Sequence, residues 1–296
     1  MKFHSECVAC TINSALRKSL PVTDQQRRTE YMAKLCKCLG EIDPEYHSAP
    51  LMEAKAIALR RDFLGLEDDY SEEKHRFNGL LMGVYDRLKQ RVRAAANPVT
   101  AAMELSIAGN YIDFGVLREI QEDKVMEMLD EACAGGLNSD ECARIQAEME
   151  NARELVLVHD NCGEIVLDKL LAETLREHYP NMHILSVVRQ VPVLNDATME
   201  DAVEIGLTEI TEVVGNGVPD VPGTQVDMLP EDLRRRMEKA DLIIAKGQGN
   251  FESMQGCGLN VFYLLLAKCE HYESWFGFRR FSGVLANELR PLKRYS

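Results

Sequence analysis

The sequence predicts an α/β protein, in which an N-terminal helical domain packs on a Rossmann-like α/β/α domain with a mostly parallel sheet. Up to about residue 150, apolar residues recur almost only at helical spacing. Beyond it, short apolar runs alternate with amphipathic helical segments, the pattern of βαβ units. We therefore predict a mainly helical domain over residues 1–150 and an α/β domain over residues 151–296.

The longest helix of the first half is predicted to follow Ser71 and to continue to Val92, because apolar residues recur there at steps of three and four.

The first half also contains one segment that is not a simple packing face of a helix. Residues 109–115 read GNYIDFG, with two glycines around Asn110 and Asp113. A plain turn is one interpretation. We expect the segment to fold back onto the second domain.

The second domain opens with residues 154–164, which read ELVLVHDNCGE. Four consecutive apolar residues predict a strand that is buried on both faces. The run stops at Asp160 and Asn161, and an amphipathic helix follows. Ligands bind at such strand ends in open α/β sheets, and carboxylate and amide oxygens suit a hard cation. An Asx turn with a helix cap is the alternative.

A second polar cluster follows the next predicted strand, His183 to Val188, after Arg189. Residues 192–198 read PVLNDAT, and Thr198 is placed to cap the following helix. Asp196 would come from a neighbouring strand end. Asp160 and Asp196 would then bind one metal ion from two neighbouring strand ends.

A third cluster follows the strand Asp241 to Ala245, where the sequence continues KGQGNFES. Glycines allow backbone N–H groups to approach an anion closely, and the lysine adds positive charge. The P-loop spacing is absent, and a simple glycine turn is the alternative. The candidate phosphate-binding residues of this segment are Lys246, Gly247 and Gly249. The segment also carries Asn250 and Glu252, and Glu252 is a further candidate for binding the substrate or its phosphate.

These three polar clusters would bring a divalent cation and a phosphate-binding site together at one edge of the sheet, which is what phosphoryl transfer needs. The segments GNYIDFG, DNCGE, RQVPVLNDAT and KGQGNFES, in this order, resemble the DUF89 family of metal-dependent damage-control phosphatases. The early CVAC, with Cys7 and Cys10, is similar to the prokaryotic branch that carries a Cys-x-x-Cys. Cys162 departs from the small residue expected within the DN-x-GE motif, which bears on metal preference and oxidation.

The resemblance implies a metal held by Asp160, Asn161 and Asp196. It also implies a phosphate and substrate pocket, lined by Asn110, Asp113, Arg189, Lys246 and Asn250. We therefore predict a phosphatase of small phosphomonoesters, such as sugar phosphates or damaged metabolites, that uses Mg²⁺, Mn²⁺, Co²⁺ or Ni²⁺. The expected catalytic residues are Asp160, Lys246 and Asp113. Attack by water and attack by the Asp160 carboxylate both remain open.

Composition restricts the function further. The 296 residues carry a net charge of −14, which argues against a nucleic-acid surface. No apolar run reaches the roughly 18 residues of a membrane span, and MKFHSECVACTIN lacks a signal-peptide core. Nine cysteines without such a signal predict free thiols in the cytoplasm. The oligomeric state is left open.

Two alternatives come from other classes of protein. One is a Rossmann-like methyltransferase or nucleotide-binding protein, although no strand–GxGxxG–helix unit is present. The other is a non-catalytic protein that senses metal or redox state through its cysteines.

Overall fold

The computed structural model describes residues 4–43, 48–111 and 122–290, which form a six-stranded sheet with helices on both faces. The helices before the sheet are α1 (Ser5–Ser19), α2 (Gln25–Gly40), α3 (Ala49–Leu64), α4 (Ser71–Gly83), α5 (Tyr85–Ala94), α6 (Pro98–Ala108), α7 (Glu122–Cys133) and α8 (Ser139–Met149). The second half contains β1 (Glu154–Val158), α9 (Glu164–His178), β2 (His183–Val188), α10 (Met199–Glu204), β3 (Glu212–Gly215), α11 (Glu231–Lys239), β4 (Leu242–Lys246), α12 (Gly247–Met254), β5 (Val261–Leu266), α13 (Tyr272–Phe276) and β6 (Gly283–Asn287).

The strand order is β3-β2-β1-β4-β5-β6, with β6 antiparallel to β5 and all other pairs parallel. The predicted α/β class with a mostly parallel sheet is confirmed. The chain builds outward from β1 to β3 and then crosses to β4 on the other side of β1. The order therefore reverses between β1 and β4. The crevice at the carboxyl ends of such strands is where doubly wound folds bind ligands.

The two faces of the sheet explain the continuous apolar runs. Leu155 and Leu157 of β1 lie in a core shared with helices α4 to α10. Val156 and Val158 lie in a second core, on the face covered by α11, α12 and α13. Because successive side chains of a strand point to opposite faces, a strand between two helical layers is apolar at every position.

Helices α1 to α3 form a separate apolar cluster around Tyr31, Leu35 and Met52. Helices α4 to α8, by contrast, contribute to the same core as one face of the sheet. That core therefore extends across residue 150. The division of the chain into two domains at this position remains a prediction.

The helix predicted to follow Ser71 is in fact two helices, because α4 ends at Gly83 and α5 begins at Tyr85. The Val84 N–H donates to the carbonyl of Leu81, three residues back, which closes a tight turn. Glycine is a poor helix former, so Gly83 favours a break at this point. No helix within the described ranges is long and apolar enough to cross a membrane.

Candidate active site

The loops that follow β1 and β2 are joined to each other at the carboxyl edge of the sheet. Asn161 and Asp196 form an antiparallel bridge, and the Ala197 N–H donates to the Asp160 carbonyl at 2.7 Å. This pairing places Asp160, Asn161 and Asp196 next to one another. The structure thus brings together the three residues that the sequence suggested as metal ligands.

Asp160 is a buried carboxylate close to two other acidic side chains, Asp196 and Glu164. The residue is 7% exposed, and Asn161 Nδ2 donates to Asp160 Oδ2 at 2.7 Å. Burial raises the pKa of Asp160 well above its usual value, and the nearby charges of Asp196 and Glu164 raise it further. Within the described ranges, no Lys, Arg or His forms an ion pair with it. A bound cation would supply the missing positive charge.

Asp196, in contrast, is held by a buried arginine. Arg189 Nε donates to Asp196 Oδ2 at 2.6 Å, and the two other guanidinium nitrogens donate to Thr224 Oγ1 at 3.0 Å and Asn250 Oδ1 at 3.1 Å. Burial raises the pKa of Asp196, although the Arg189 charge opposes that shift. Arg189 is only 1% exposed, so it orients this carboxylate from within the protein.

The start of α12 lies directly against Asp160. Gly247 has a φ of +76°, and a Cβ atom at this position would be 1.9 Å from Asp160 Oδ2. A Cβ atom at Gly249 would be 3.7 Å from Asp160 Oδ1. The first N–H groups of a helix have no partner within the helix and attract anions. The predicted phosphate cradle and the candidate metal ligands are therefore neighbours.

Lys246, the last residue of β4, is fully buried. Its ammonium group donates to Glu164 Oε1 and Asp168 Oδ1, both at 2.6 Å, and to the Ser106 carbonyl at 3.0 Å. Burial alone would lower the pKa of Lys246, but the charges of Asp168 and Glu164 outweigh it and raise the pKa. The predicted contact of Lys246 with phosphate remains a prediction.

Asn250 and Glu252 have internal partners. Asn250 Nδ2 donates to the carbonyls of His159 at 3.0 Å and Lys246 at 2.7 Å, so it ties the ends of β1 and β4 together. Glu252 accepts from the Tyr272 hydroxyl at 2.7 Å, beside the core that contains Phe251. Neither contact tests their predicted substrate binding.

The GNYIDFG segment is described only in part. Asn110 is buried in the middle of a short 3-10 helix, Gly109–Tyr111. A Cβ atom at Gly109 would be 3.0 Å from Glu164 Cα, so the segment packs on the first residue of α9. Asp113 lies outside the described residues.

Comparison with known proteins identifies the family. A family model described as the damage-control phosphatase ARMT1-like domain matches residues 3–279. The chain belongs to the damage-control phosphatase family. The predicted resemblance is therefore confirmed, and so is the prediction of a phosphatase at the level of the family.

Individual relatives agree with this result. A damage-control phosphatase of Archaeoglobus fulgidus is 32% identical over 277 residues, which cover 91% of this chain and 93% of the relative. A damage-control phosphatase of Pyrococcus horikoshii is 31% identical, over 91% of this chain and 92% of that protein. The crystal structure of a DUF89 family protein from the same organism superimposes with a TM-score of 0.83 at 27% identity. It covers 97% of this chain and 99% of the other.

Helix α4 supplies two residues of this phosphatase that the sequence interpretation missed. Lys74 Nζ donates to the Asp196 carbonyl at 2.9 Å and lies 2.6 Å from Asp201 Oδ2. Asn78 Oδ1 accepts from the Gly163 N–H at 2.6 Å. Helix α4 therefore holds the loops that follow β1 and β2. The available signal was that Lys74 and Asn78 share the helix face of the apolar residues.

The candidate ligands of the phosphatase fit a hard divalent cation by their chemistry. They offer two carboxylates and one amide, and oxygen donors of this kind suit Mg²⁺ and Mn²⁺. Within the described ranges, no group of three His, Cys, Asp or Glu side chains is arranged to hold a metal ion. Asparagine is not among these four residue types, so such a group does not include the amide of Asn161. The burial of Asp160 close to the charges of Asp196 and Glu164, which raises its pKa, is the observation that favours a cation here.

Proposed function

We propose that this phosphatase hydrolyses small phosphomonoesters, such as sugar phosphates or related damaged metabolites, with a divalent cation as cofactor. The observation that carries the proposal is the position of Asp160. Its carboxylate lies between the Asp196 loop and the start of α12, so a candidate metal ligand and a candidate anion site are in contact. Phosphoryl transfer requires both at one place.

The cation would be held by the carboxylates of Asp160 and Asp196 and the amide oxygen of Asn161. Mg²⁺, Mn²⁺, Co²⁺ and Ni²⁺ all accept such oxygen ligands. When bound, a divalent cation neutralises charge on phosphoryl oxygens and orients the ester. Arg189 would keep Asp196 in place for this purpose, since its guanidinium group fixes that carboxylate through Nε.

The phosphoryl oxygens would be bound by the backbone N–H groups of Gly247 and Gly249. These groups belong to the first turn of α12, where the helix dipole favours negative charge. Both positions lack a side chain, so an anion could approach the backbone closely. Asn110 is proposed to contribute to the substrate pocket, because the neighbouring Gly109 packs against the start of α9.

Metal-dependent phosphate release tests this proposal. The protein is treated with EDTA, dialysed and assayed with p-nitrophenyl phosphate and a panel of phosphomonoesters, after addition of each of the four cations. Bis(p-nitrophenyl) phosphate, a diester, serves as the control substrate. We expect no hydrolysis without a cation, recovery with at least one cation, and preference for the monoester. Full activity in EDTA, or none with any cation, would contradict the proposal.

We also propose that the enzyme acts in the cytoplasm. All nine cysteines are free in the structure, which suits a reducing compartment. Fractionation of cells that express the tagged chain would test this.

A further inference from the structure

Lys246 has no N–H left for a phosphate oxygen in this structure. An ammonium group offers three N–H donors, and Glu164, Asp168 and the Ser106 carbonyl accept one each. The side chain is fully buried. A phosphate contact would require Lys246 to leave two buried carboxylates without their positive partner, which is costly.

The bonds of Lys246 continue to a candidate metal ligand through Glu164. Glu164 Oε1 accepts from Lys246, while Oε2 accepts from Asn161 Nδ2 at 3.3 Å. The same Asn161 nitrogen donates to Asp160 Oδ2 at 2.7 Å. Both amide hydrogens of Asn161 therefore face carboxylates. Rotation of the amide by 180° would replace them with an oxygen and create repulsion, so the network fixes which end of Asn161 is free for a cation.

The other partner of Lys246 is itself fixed by two more elements. Asp168 accepts from Ser106 Oγ of α6 at 2.6 Å, and its second oxygen lies 2.9 Å from His159 Nδ1 at the end of β1. Asp168 is fully buried. Lys246 thus contacts α6 and α9 directly and the end of β1 through Asp168. These bonds hold the lysine, and with it the Glu164 carboxylate, in place.

We propose that Lys246 is a positioning residue of the metal centre, which holds Glu164 so that Glu164 orients the Asn161 amide towards the cation. This inference rests on the metal site of the proposed function and changes the role predicted for Lys246. Groups that hydrogen-bond a metal ligand typically affect metal affinity by about 10- to 100-fold. A lysine that contacted phosphate would instead affect phosphate affinity.

Two titrations separate these roles without use of catalysis. Calorimetry measures the Kd of Mn²⁺ for the apoprotein and then the Kd of inorganic phosphate for the Mn²⁺-saturated protein. The test variant is Lys246→Met, which keeps the length and removes the charge. The matched control is Lys239→Met on the exposed end of α11.

We expect Lys246→Met to weaken Mn²⁺ binding by about 10- to 100-fold. Phosphate binding to the Mn²⁺-saturated protein should stay within about threefold, and the control should match the parent for both ligands. Unchanged Mn²⁺ affinity together with phosphate binding weakened by about tenfold or more would overturn the proposal.

A double variant tests the route through Glu164. In Lys246→Met the Glu164 carboxylate is left buried without its partner, whereas Glu164→Gln removes that charge and keeps an oxygen to accept from Asn161. The combination should therefore bind Mn²⁺ more tightly than Lys246→Met alone, a non-additive result typical of residues in direct contact. Strictly additive effects on Mn²⁺ affinity would contradict the route.

Circular dichroism establishes whether each variant folds. If Lys246→Met does not fold, Glu164→Met decides, because it removes the oxygen that accepts from Asn161. We expect this variant to bind Mn²⁺ about 10- to 100-fold more weakly, and unchanged Mn²⁺ affinity overturns the proposal. A parent protein that binds Mn²⁺ but hydrolyses no phosphomonoester contradicts the proposed function, while the titrations still decide the role of Lys246. A parent that binds none of the four cations contradicts both.

Discussion

The Asp160 carboxylate lies against the backbone of Gly247, so closely that a Cβ atom at Gly247 would be 1.9 Å from Asp160 Oδ2. Gly247 also has a φ of +76°, in the left-handed region that favours glycine. Any side chain at position 247 would displace Asp160 from the Asp196 loop. The start of α12 and the candidate metal centre therefore depend on each other.

We predict that Gly247→Ala abolishes Mn²⁺ binding and metal-dependent hydrolysis, because the methyl group occupies the place of the Asp160 carboxylate. Gly258→Ala is the matched control: Gly258 has a φ of +74°, but a Cβ atom there meets nothing within 4 Å. The control should lose only about 1–3 kcal/mol of stability from backbone strain and keep its Mn²⁺ affinity. Calorimetry and urea unfolding measure both effects. Normal Mn²⁺ binding by Gly247→Ala would show that Asp160 is not a ligand.

Asn78 connects α4 to the loop that follows β1. It accepts from the Gly163 N–H at 2.6 Å and donates to Asp201 Oδ1 and Glu204 Oε2, both at 2.9 Å. Asn78→Leu keeps the volume but removes all three hydrogen bonds, so we expect a loss of about 2–3 kcal/mol in the free energy of unfolding. Asn97→Ala, which removes an exposed helix cap, should cost about 1 kcal/mol. Equal costs for the two variants would contradict the role of Asn78.

Arg189 donates to three different side chains from one planar group, a geometry that lysine cannot reproduce. Arg189→Lys keeps the charge but should weaken Mn²⁺ affinity by about 10- to 100-fold, since Asp196 loses its fixed orientation. Arg236→Lys, at an exposed pair with Glu212, should change stability by less than about 1 kcal/mol and leave Mn²⁺ affinity intact. Calorimetric titration of both variants provides the comparison. An Arg189→Lys variant with parental affinity would refute this account of Asp196.

The cysteines at the N-terminus should be dispensable for catalysis. Cys10 is exposed, whereas burial raises the pKa of Cys7 to about 11. Only the thiolate reacts, so iodoacetamide at pH 8 should label Cys10 before Cys7, and Cys7 should catch up as the pH approaches 11. Peptide mass spectrometry reads the order of labelling. The double variant Cys7→Ser/Cys10→Ser should keep metal-dependent activity, and a folded but inactive protein would disprove this.

Cys162 directly follows the candidate metal ligands Asp160 and Asn161 in the chain, yet it is fully buried in the core. Burial raises the pKa of its thiol, so the reactive thiolate is disfavoured. Cys162→Ala should therefore leave Mn²⁺ affinity within about threefold and lower stability by about 1–2 kcal/mol. Calorimetry would show a direct role if the metal affinity fell tenfold or more.

Much of the fold followed from the sequence because its physical basis is local. The run from Leu155 to Val158 is apolar at each position since helices cover both faces of β1. The candidate ligands Asp160 and Asp196 were predictable for a related reason, because parallel strands end at the same edge of the sheet.

The surroundings of the site were not predictable in the same way. Lys74 lies 122 residues from Asp196 in the chain, and the bond between them depends on how α4 packs on the sheet. The partners of Lys246, among them Asp168 and the Ser106 carbonyl, come from α9 and α6. A lysine beside two glycines therefore suggested phosphate binding, while its buried acceptors became visible only in three dimensions.

Calorimetric titration of Mn²⁺ into the parent protein, Asp160→Asn and Asp196→Asn tests the central claim most directly. The asparagine variants keep the shape of each side chain and remove its charge. Asp227→Asn, at an exposed position, serves as the control. We predict one Mn²⁺ bound by the parent and the control. Affinity should fall by about 100-fold or more in both site variants, since loss of a ligand's charge should cost at least as much as loss of a group that only supports a ligand. Parental affinity in both site variants would contradict a metal centre at this edge of the sheet.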